Sequence, residues 1–428
     1  MDLIIGAGIT GLTYATRTSN DYLIVEKESE IGGYCRTHYS GDYVWDYSGH
    51  FFHFQHSEIR DYVMEKLSKD EVLDVYKHTQ IYYKGRLVDY PFQMNIHQLE
   101  KEEFIDCLYD LFAEKPNKST ISFKDMLYEK FGRSIAEKFL IPYNEKLYAT
   151  DLNSLDVDAM GRFFPYADKE QIILNFRNSI NQSYNSFFLY PKRGVIKVVE
   201  SVYARVDADK IALNERLVPV DLKNKVATTN KRTISYDNLI STVPFPCLLD
   251  MAQVSYDRNV YSCNKVVVFN IGFDRKGADT KNNWIYFPDR DIVFYRVGFY
   301  DNIIGMDKMS LYVEVGFAHN EDVDEKALFG RVLADLKKVG IVVDEQVVDY
   351  ECITMNPAYV HITQQSEADK RAKMDFLNSH GVYSIGRYGE WKYCSLEDNM
   401  HDAFVLAEKL KNDYPQSAQN NDFKGDFG

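Results

Sequence analysis

Leu3-Ile4-Ile5-Gly6-Ala7-Gly8-Ile9-Thr10-Gly11-Leu12, followed by Tyr22-Leu23-Ile24-Val25-Glu26, is the stretch that decides the fold. Leu3–Ile5 is a short apolar run that stops at Gly6, the pattern of a buried strand. Gly6-x-Gly8-x-x-Gly11 then opens a helix over Leu12–Arg17, and Tyr22–Val25 is the next strand. Glycines at those places permit a tight turn and let backbone N–H groups approach a pyrophosphate at the helix N-terminus. Glu26 ends the second strand, 20 residues after Gly6. A carboxylate there accepts hydrogen bonds from an adenosine ribose.

The rest of the chain sets the scale around that unit. Its 428 residues predict two to four structural units. Hydrophobic residues at 45% and charged residues at 27% exclude a disordered, collagen-like or coiled-coil chain. The net charge of −14 argues against nucleic acid or an anionic membrane as a non-specific partner. The six cysteines lack CxxC spacing, so neither a zinc knuckle nor a disulfide framework is expected, nor any other metal site. A reducing, cytoplasmic setting follows. The apolar run Leu3–Ile5 is too short for a signal peptide. No stretch approaches the ~18 apolar residues of a membrane span.

Two further glycine motifs specify the dinucleotide. Gly32-Gly33-Tyr34-Cys35-Arg36-Thr37 follows Glu26 closely. A second glycine pair with an arginine three residues on is used by FAD enzymes of the glutathione-reductase-like type, beside the pyrophosphate and flavin. Gly386-Arg387-Tyr388-Gly389 is the expected C-terminal partner, bringing another cation and a helix start to the cofactor. FAD is therefore favoured over NAD. Gly6, Gly8, Gly11, Glu26, Gly32, Gly33, Arg36, Gly386 and Arg387 are the candidate cofactor residues. His50, in Asp46-Tyr47-Ser48-Gly49-His50, is placed on the flavin by its position after the second glycine pair.

Periodicity divides the chain. Phe104, Leu108, Leu111 and Phe112 form one helical stripe, and Ser122 with Asp125 reads as a capped helix start. Leu217–Ala227 and Arg232–Ser235 read as a small hairpin. Lys265–Phe273, Trp284–Phe287, Ile292–Phe299 and Leu311–Phe317 read as antiparallel strands. A helix near Glu325–Val339, a strand near Val347–Thr354, a strand at Gly381–Ile385 and a helix at Leu396–Lys411 complete the pattern. The expected fold class is α/β: a Rossmann-like FAD-binding domain of glutathione-reductase-like type, with an inserted helical domain and an antiparallel β-sheet domain. The FAD domain draws on 1–90, 191–250 and 381–412. The helical substrate domain spans 91–190, the sheet domain 251–380, and a loose polar tail 413–428.

Several segments carry a resemblance. They are Tyr90-Pro91-Phe92-Gln93-Met94-Asn95, Pro142-Tyr143-Asn144-Glu145-Lys146-Leu147-Tyr148, Gly161-Arg162, Trp284-Ile285-Tyr286-Phe287-Pro288 and Phe294-Tyr295-Arg296. Together with the glycine motifs they resemble UDP-galactopyranose mutases over residues 2 to about 405, the eukaryotic type more than the common bacterial type. The resemblance implies that Tyr90, Phe92 and Gln93 hold uracil. It implies that Tyr286, Arg162 and Arg296 bind the diphosphate, and that Asn144, Asn185, Tyr359 and Tyr393 complete the pocket. It implies a reversible ring contraction of UDP-galactopyranose to UDP-galactofuranose, without net redox change, through an adduct of the sugar on N5 of the reduced flavin. Arg162 and Arg296 would then stabilise the leaving diphosphate, and His50 would tune the flavin or take a proton. Whether NADPH or another donor reduces the flavin stays open, as do the oligomeric state and the role of Asn399-Met400-His401-Asp402. Tyr148 stands where the family has Trp, and Ser48 where it has Gly. Two other readings share the glycine frame: a flavin oxidase or desaturase of the amine-oxidase or protoporphyrinogen-oxidase type, and a mutase for another UDP-sugar.

Overall fold

A computed structural model describes residues 1–113, 120–178 and 186–413. Asp2–Ile5 lies at the centre of a five-stranded parallel sheet. In spatial order the strands are Val382–Ser384, Asn238–Ser241, Asp2–Ile5, Tyr22–Val25 and Ile211–Ala212. Such strands are apolar on both faces because both faces are covered. The alternation along them shows how. Ile4, Ile24 and Ile240 pack with Leu12, Val199 and Ala403 from the helices Ile9–Ala15, Ile196–Tyr203 and Leu396–Asp413. Leu3, Ile5, Val25 and Leu239 face the opposite way, onto Leu217, Ala227, Phe245 and Leu248.

A second sheet has seven strands. Their order is Val347–Met355, Asn264–Phe273, Ser310–Ala318, Arg296–Phe299, Trp284–Tyr286, Thr79–Tyr83 and Arg86–Asp89. Val267, Phe269 and Ile271 bury one face under the helix Glu325–Lys338. Val266 and Val268 turn the other face toward the helical region. Residues 1–90 therefore do not stay together. The hairpin at 79–89 leaves the parallel sheet and pairs, in parallel, with Trp284–Tyr286. The paired strands lie some two hundred residues apart, so no local pattern marks the pairing. Val72–Tyr76 pairs with Phe187–Pro191 in a separate two-stranded ribbon.

Local signals located most elements but not their bounds: the strand expected over Ile292–Phe299 is confined to Arg296–Phe299, and the helix expected over Leu12–Arg17 spans Ile9–Ala15. Ser122 caps Phe123–Ile135 through a bond from the Asp125 N–H to Ser122 Oγ (3.1 Å), answered by the Ser122 N–H to the Asp125 carboxylate (3.2 Å). In the helix Lys101–Ala113 the inner side is Phe104, Cys107, Leu108 and Leu111, whereas Phe112 is exposed beneath Lys169. Residues 217–235 make three short strands, not one hairpin. The helix Gln364–Ser379 has few apolar residues and left no periodic trace in the sequence. No helix among the described residues is long and apolar enough to cross a membrane.

Asp46 joins these layers. Its fully buried carboxylate accepts bonds from Thr37 Oγ1 (2.5 Å), the Val195 N–H (3.0 Å) and Tyr190 Oη (2.7 Å). Burial pushes this carboxyl up to about 6 despite those donors. A raised carboxyl binds more protons in the folded than in the unfolded chain. Its contribution is then fully present below about pH 4 and is lost as pH rises through about 6, a change of about 3 kcal/mol. Urea unfolding of the wild type and of Asp46→Asn at pH 4, 5, 6 and 7 checks this. The wild type should lose stability relative to the variant across that window. A constant difference would refute the assignment.

Candidate active site

A cleft of about 1720 Å³ runs where the two sheets and the helical region meet. Ile5 and Gly6, Val25 and Glu26, Thr242, and Gly386 all line it. They stand at the C-terminal ends of four parallel strands, where open α/β sheets bind ligands.

The glycine arm of the cleft is built from close backbone approaches. Gly6 has φ +104°, a left-handed conformation that an L side chain rarely adopts. A Cβ on Gly11 would overlap the Gly6 carbonyl oxygen, so Gly11 serves the packing of the turn and does not line the cleft. A Cβ on Gly8 would meet nothing, because that face opens into the cleft. The Gly32 N–H donates to Ala7 O (2.9 Å), laying the second glycine pair beside the first. Glu26 accepts the Ala7 N–H on one oxygen (2.7 Å) and the Glu28 N–H on the other (2.9 Å). Each oxygen keeps a lone pair, as a ribose-binding carboxylate requires. Arg36 lies in the wall but also closes its own loop, donating to Ile31 O (3.1 Å) and Glu30 O (2.6 Å). Asn399 ties the far motif in. Its Oδ1 accepts both Thr10 Oγ1 (3.0 Å) and the Arg387 N–H (2.8 Å). This open, glycine-walled, carboxylate-ended arm fits a dinucleotide.

The other arm is polar and cationic. Arg296 donates from Nε and Nη2 to both oxygens of Glu314 (2.7 and 2.6 Å), a fork on a carboxylate that is itself buried. Ser48 Oγ also donates to Glu314 and sits 3.4 Å from Arg296 Nη2. Burial opposes the Arg296 charge, but Glu314 outweighs it and holds the guanidinium above its usual range. Glu314 was not singled out in the sequence. A lone Glu inside the apolar strand Ser310–Ala318 is the signal that marks it. Tyr359 and Tyr393 stack 5.7 Å apart, and the Arg387 guanidinium lies 5.4 and 4.8 Å from their ring centres. Lys77, also not singled out, lies 4.9 Å from the Tyr90 ring centre, and burial pushes its ammonium down to about 8.

His50 Nδ1 lies 2.9 Å from Ser48 O. A carbonyl only accepts, so Nδ1 carries the hydrogen and Nε2 the lone pair. Burial pushes the imidazole down to about 4, reinforced by the positive charges of Arg387 and Arg296. His50 is therefore neutral near pH 7.

Most of the residues picked out from the sequence meet in this one cleft. Tyr90, Arg162, Tyr286, Arg296, Tyr359 and Tyr393 line it together with the cofactor candidates other than Gly11. Three do not. Phe92 is in the core, stacked 5.2 Å from Phe139. Gln93 is buried and donates to Pro165 O (2.5 Å), with its Oε1 unpartnered among the described residues. Asn144 turns back onto its own helix, donating to Leu140 O (2.6 Å). Arg162 is at the rim, paired with Asp398 (2.5 Å) and donating to Gln55. Asn185 lies outside the described residues. Tyr148 is buried edge-on to Tyr359 (5.8 Å), its hydroxyl unpartnered among the described residues.

A family model of flavin-containing amine oxidoreductases matches residues 9–367. The fold is similar to the crystal structure of a reduced UDP-galactopyranose mutase, with a TM-score of 0.90 and 23% identity, covering 97% of this chain and 96% of that one. It is also similar to a protein described as a protoporphyrinogen oxidase from Exiguobacterium sp. 255-15 (TM-score 0.77, 15% identity, 96% and 99% covered). A third is cyclohexylamine oxidase from Brevibacterium oxydans (TM-score 0.64, 12% identity, 96% and 99% covered). At these identities the likeness establishes a shared fold, common to a mutase and to oxidases.

Proposed function

The chain belongs to the flavin-containing amine oxidoreductases, and from that premise we propose that it holds FAD in the glycine arm of the cleft and interconverts UDP-galactopyranose and UDP-galactofuranose while the flavin is reduced. The observation that carries this reading is the Arg296–Glu314 fork in the tyrosine-lined arm. An apolar or amine substrate has no use for a guanidinium pinned in the wall. A diphosphate on a chain of net charge −14 needs one.

Each part of the wall then has a task. Gly8 and Gly33 let the backbone approach the FAD pyrophosphate, and Glu26 accepts its ribose hydroxyls. Tyr90 offers a ring face to uracil, with Phe92 and Gln93 buried in the same segment. Arg296, anchored by Glu314, keeps Nη1 for the diphosphate and stabilises the charge that develops as UDP leaves. Arg162, at the rim, closes on the same group after releasing Asp398. When bound, the reduced flavin supplies the electron pair that the anomeric carbon takes up as UDP departs. The tyrosines hold UDP close so that recombination outruns escape. His50 Nε2 accepts a hydrogen bond at that site. NADPH or another external donor supplies the reduced state.

The test is direct. The purified protein is reduced with dithionite, given UDP-galactofuranose, and its products are separated by HPLC. UDP-galactopyranose formed only by the reduced, yellow-when-oxidised protein is the expected result. No conversion, with UDP still perturbing the flavin spectrum, would redirect the reading to another UDP-sugar. A flavin spectrum indifferent to UDP would overturn it in favour of an oxidase.

A further inference from the structure

Tyr286 and Arg296 sit on neighbouring antiparallel strands, directly opposite one another. The connection between them, 287–295, carries no helix or strand; Phe287 N–H donates to Tyr295 O (2.9 Å), Ile292 N–H to Asp289 O (3.3 Å) and Tyr295 N–H to Glu314 O (3.0 Å). Two helices hold it, Glu325–Lys338 and Ile141–Tyr148; from the first, Asp335 accepts the Val293 N–H (2.8 Å) and Arg331 donates to Asp291 O (2.7 Å). Lys146 Nζ donates to three carbonyl oxygens of this connection: Phe287 (2.8 Å), Asp289 (2.9 Å) and Phe294 (2.5 Å). Glu145 pairs with Arg290 in the same connection, and the Tyr143 ring stands edge-on to Tyr286 (5.1 Å) and Tyr295 (6.2 Å). Lys146 does not line the cleft.

We propose that Lys146 is a positioning residue whose ammonium clamps the 287–294 connection and so fixes Tyr286 and Arg296 in the cleft wall. An ammonium has three N–H donors and no acceptor, and here it meets three acceptors. A neutral amine has two donors and a lone pair, so it would release one carbonyl and repel it. The charged groups around it are Asp289 and Asp335, which favour the ammonium, Arg331, which pairs with Asp335 (2.9 Å), and, around the same helix, Glu145, Arg290 and Lys124. Burial pushes the group down to about 7. Raising the pH through that value therefore loosens the clamp, and lowering it restores the clamp.

Amide hydrogen exchange on the whole protein tests this without assuming any substrate. Lys146→Met should lose protection at Phe287 and Ile292, whose N–H groups bond within the connection, by about tenfold or more, the size expected for a lost charge-assisted bond, while Val293, held by Asp335, should change less. Protection over 2–25 should stay at the wild-type level. Lys146→Arg should restore it. Should Lys146→Met fail to fold, the pH dependence of the wild type against Lys146→Arg decides. The wild type's 287–295 protection, corrected for intrinsic base-catalysed exchange, should fall between pH 6 and pH 9, and that of Lys146→Arg should not. Unchanged protection in Lys146→Met, a uniform loss over the chain, or a pH-independent wild type would overturn the clamp. UDP titration of the flavin spectrum, which rests on the function proposed above, should show about tenfold weaker binding in Lys146→Met and near-normal binding in Lys146→Arg. A wild type that ignores UDP would refute the nucleotide reading, and the exchange contrast would still decide the clamp.

Discussion

Arg296→Ala is expected to abolish UDP binding and to cost the folded protein about 3–5 kcal/mol. Both effects come from one geometry. Glu314 is 1% exposed, and both its oxygens are engaged by Arg296. Removing the guanidinium leaves a buried carboxylate with, among the described residues, only Ser48 Oγ to answer it. The uncompensated charge, more than the lost contact, sets the stability loss. The pair Arg296→Met with Glu314→Leu separates the two roles. An ion pair replaced by apolar groups of similar volume is often neutral in stability, so the double variant should recover most of the loss. It should not recover UDP binding, because the cation is gone. Urea unfolding and UDP titration of the three proteins read both outcomes. A double variant as unstable as the single one would show that the cost lies in packing, not in the stranded charge. A single variant that still binds UDP would remove Arg296 from the site.

The second large effect contrasts two glycines of one motif. Gly11→Ala places a Cβ on the Gly6 carbonyl oxygen, a backbone atom that cannot swing away. The expected loss is about 3 kcal/mol or more, at the upper end of overpacking costs. Gly8→Ala meets nothing, and Gly8 has φ −77° and ψ 179°, which alanine adopts freely. The flavin-free protein should therefore be unharmed, or stabilised by about 0.5 kcal/mol through a less flexible unfolded chain. Its new methyl group fills the space a pyrophosphate must take, so flavin content should collapse. Absorbance at the flavin bands and urea unfolding of the flavin-free proteins measure the two effects. Equal flavin content in Gly8→Ala and the wild type would show that no dinucleotide passes that turn.

The parts of this protein legible in its sequence are those set by short-range chemistry. The strand–turn–helix at Leu3–Gly11, the acid at Glu26, the second glycine pair and the Ser122 cap each depend on residues a few positions apart. They occur as read. Motif segments also reached the cleft wall, which six of the ten candidate substrate residues line. Motif membership did not say which way a side chain turns. Tyr90 faces the cleft while Phe92 and Gln93, two and three residues on, face the core. A short 3₁₀ turn at Phe92–Met94 separates them, and its direction is set by packing against Phe139 and Pro165.

By itself, then, the sequence determined the parallel βαβ start, the glycine motifs of a dinucleotide-binding turn and the identity of several segments that meet around the cleft. Tertiary structure alone decided that the hairpin at 79–89 joins Trp284–Tyr286, that Glu314 holds Arg296, and that Lys146 reaches across to 287–294. The physical reason is the same in all three. A turn or a cap is stabilised by neighbours in the chain. A buried charge, an open strand edge and an unpaired carbonyl are indifferent to sequence distance and are satisfied by whichever partner the folded layers bring within hydrogen-bond reach.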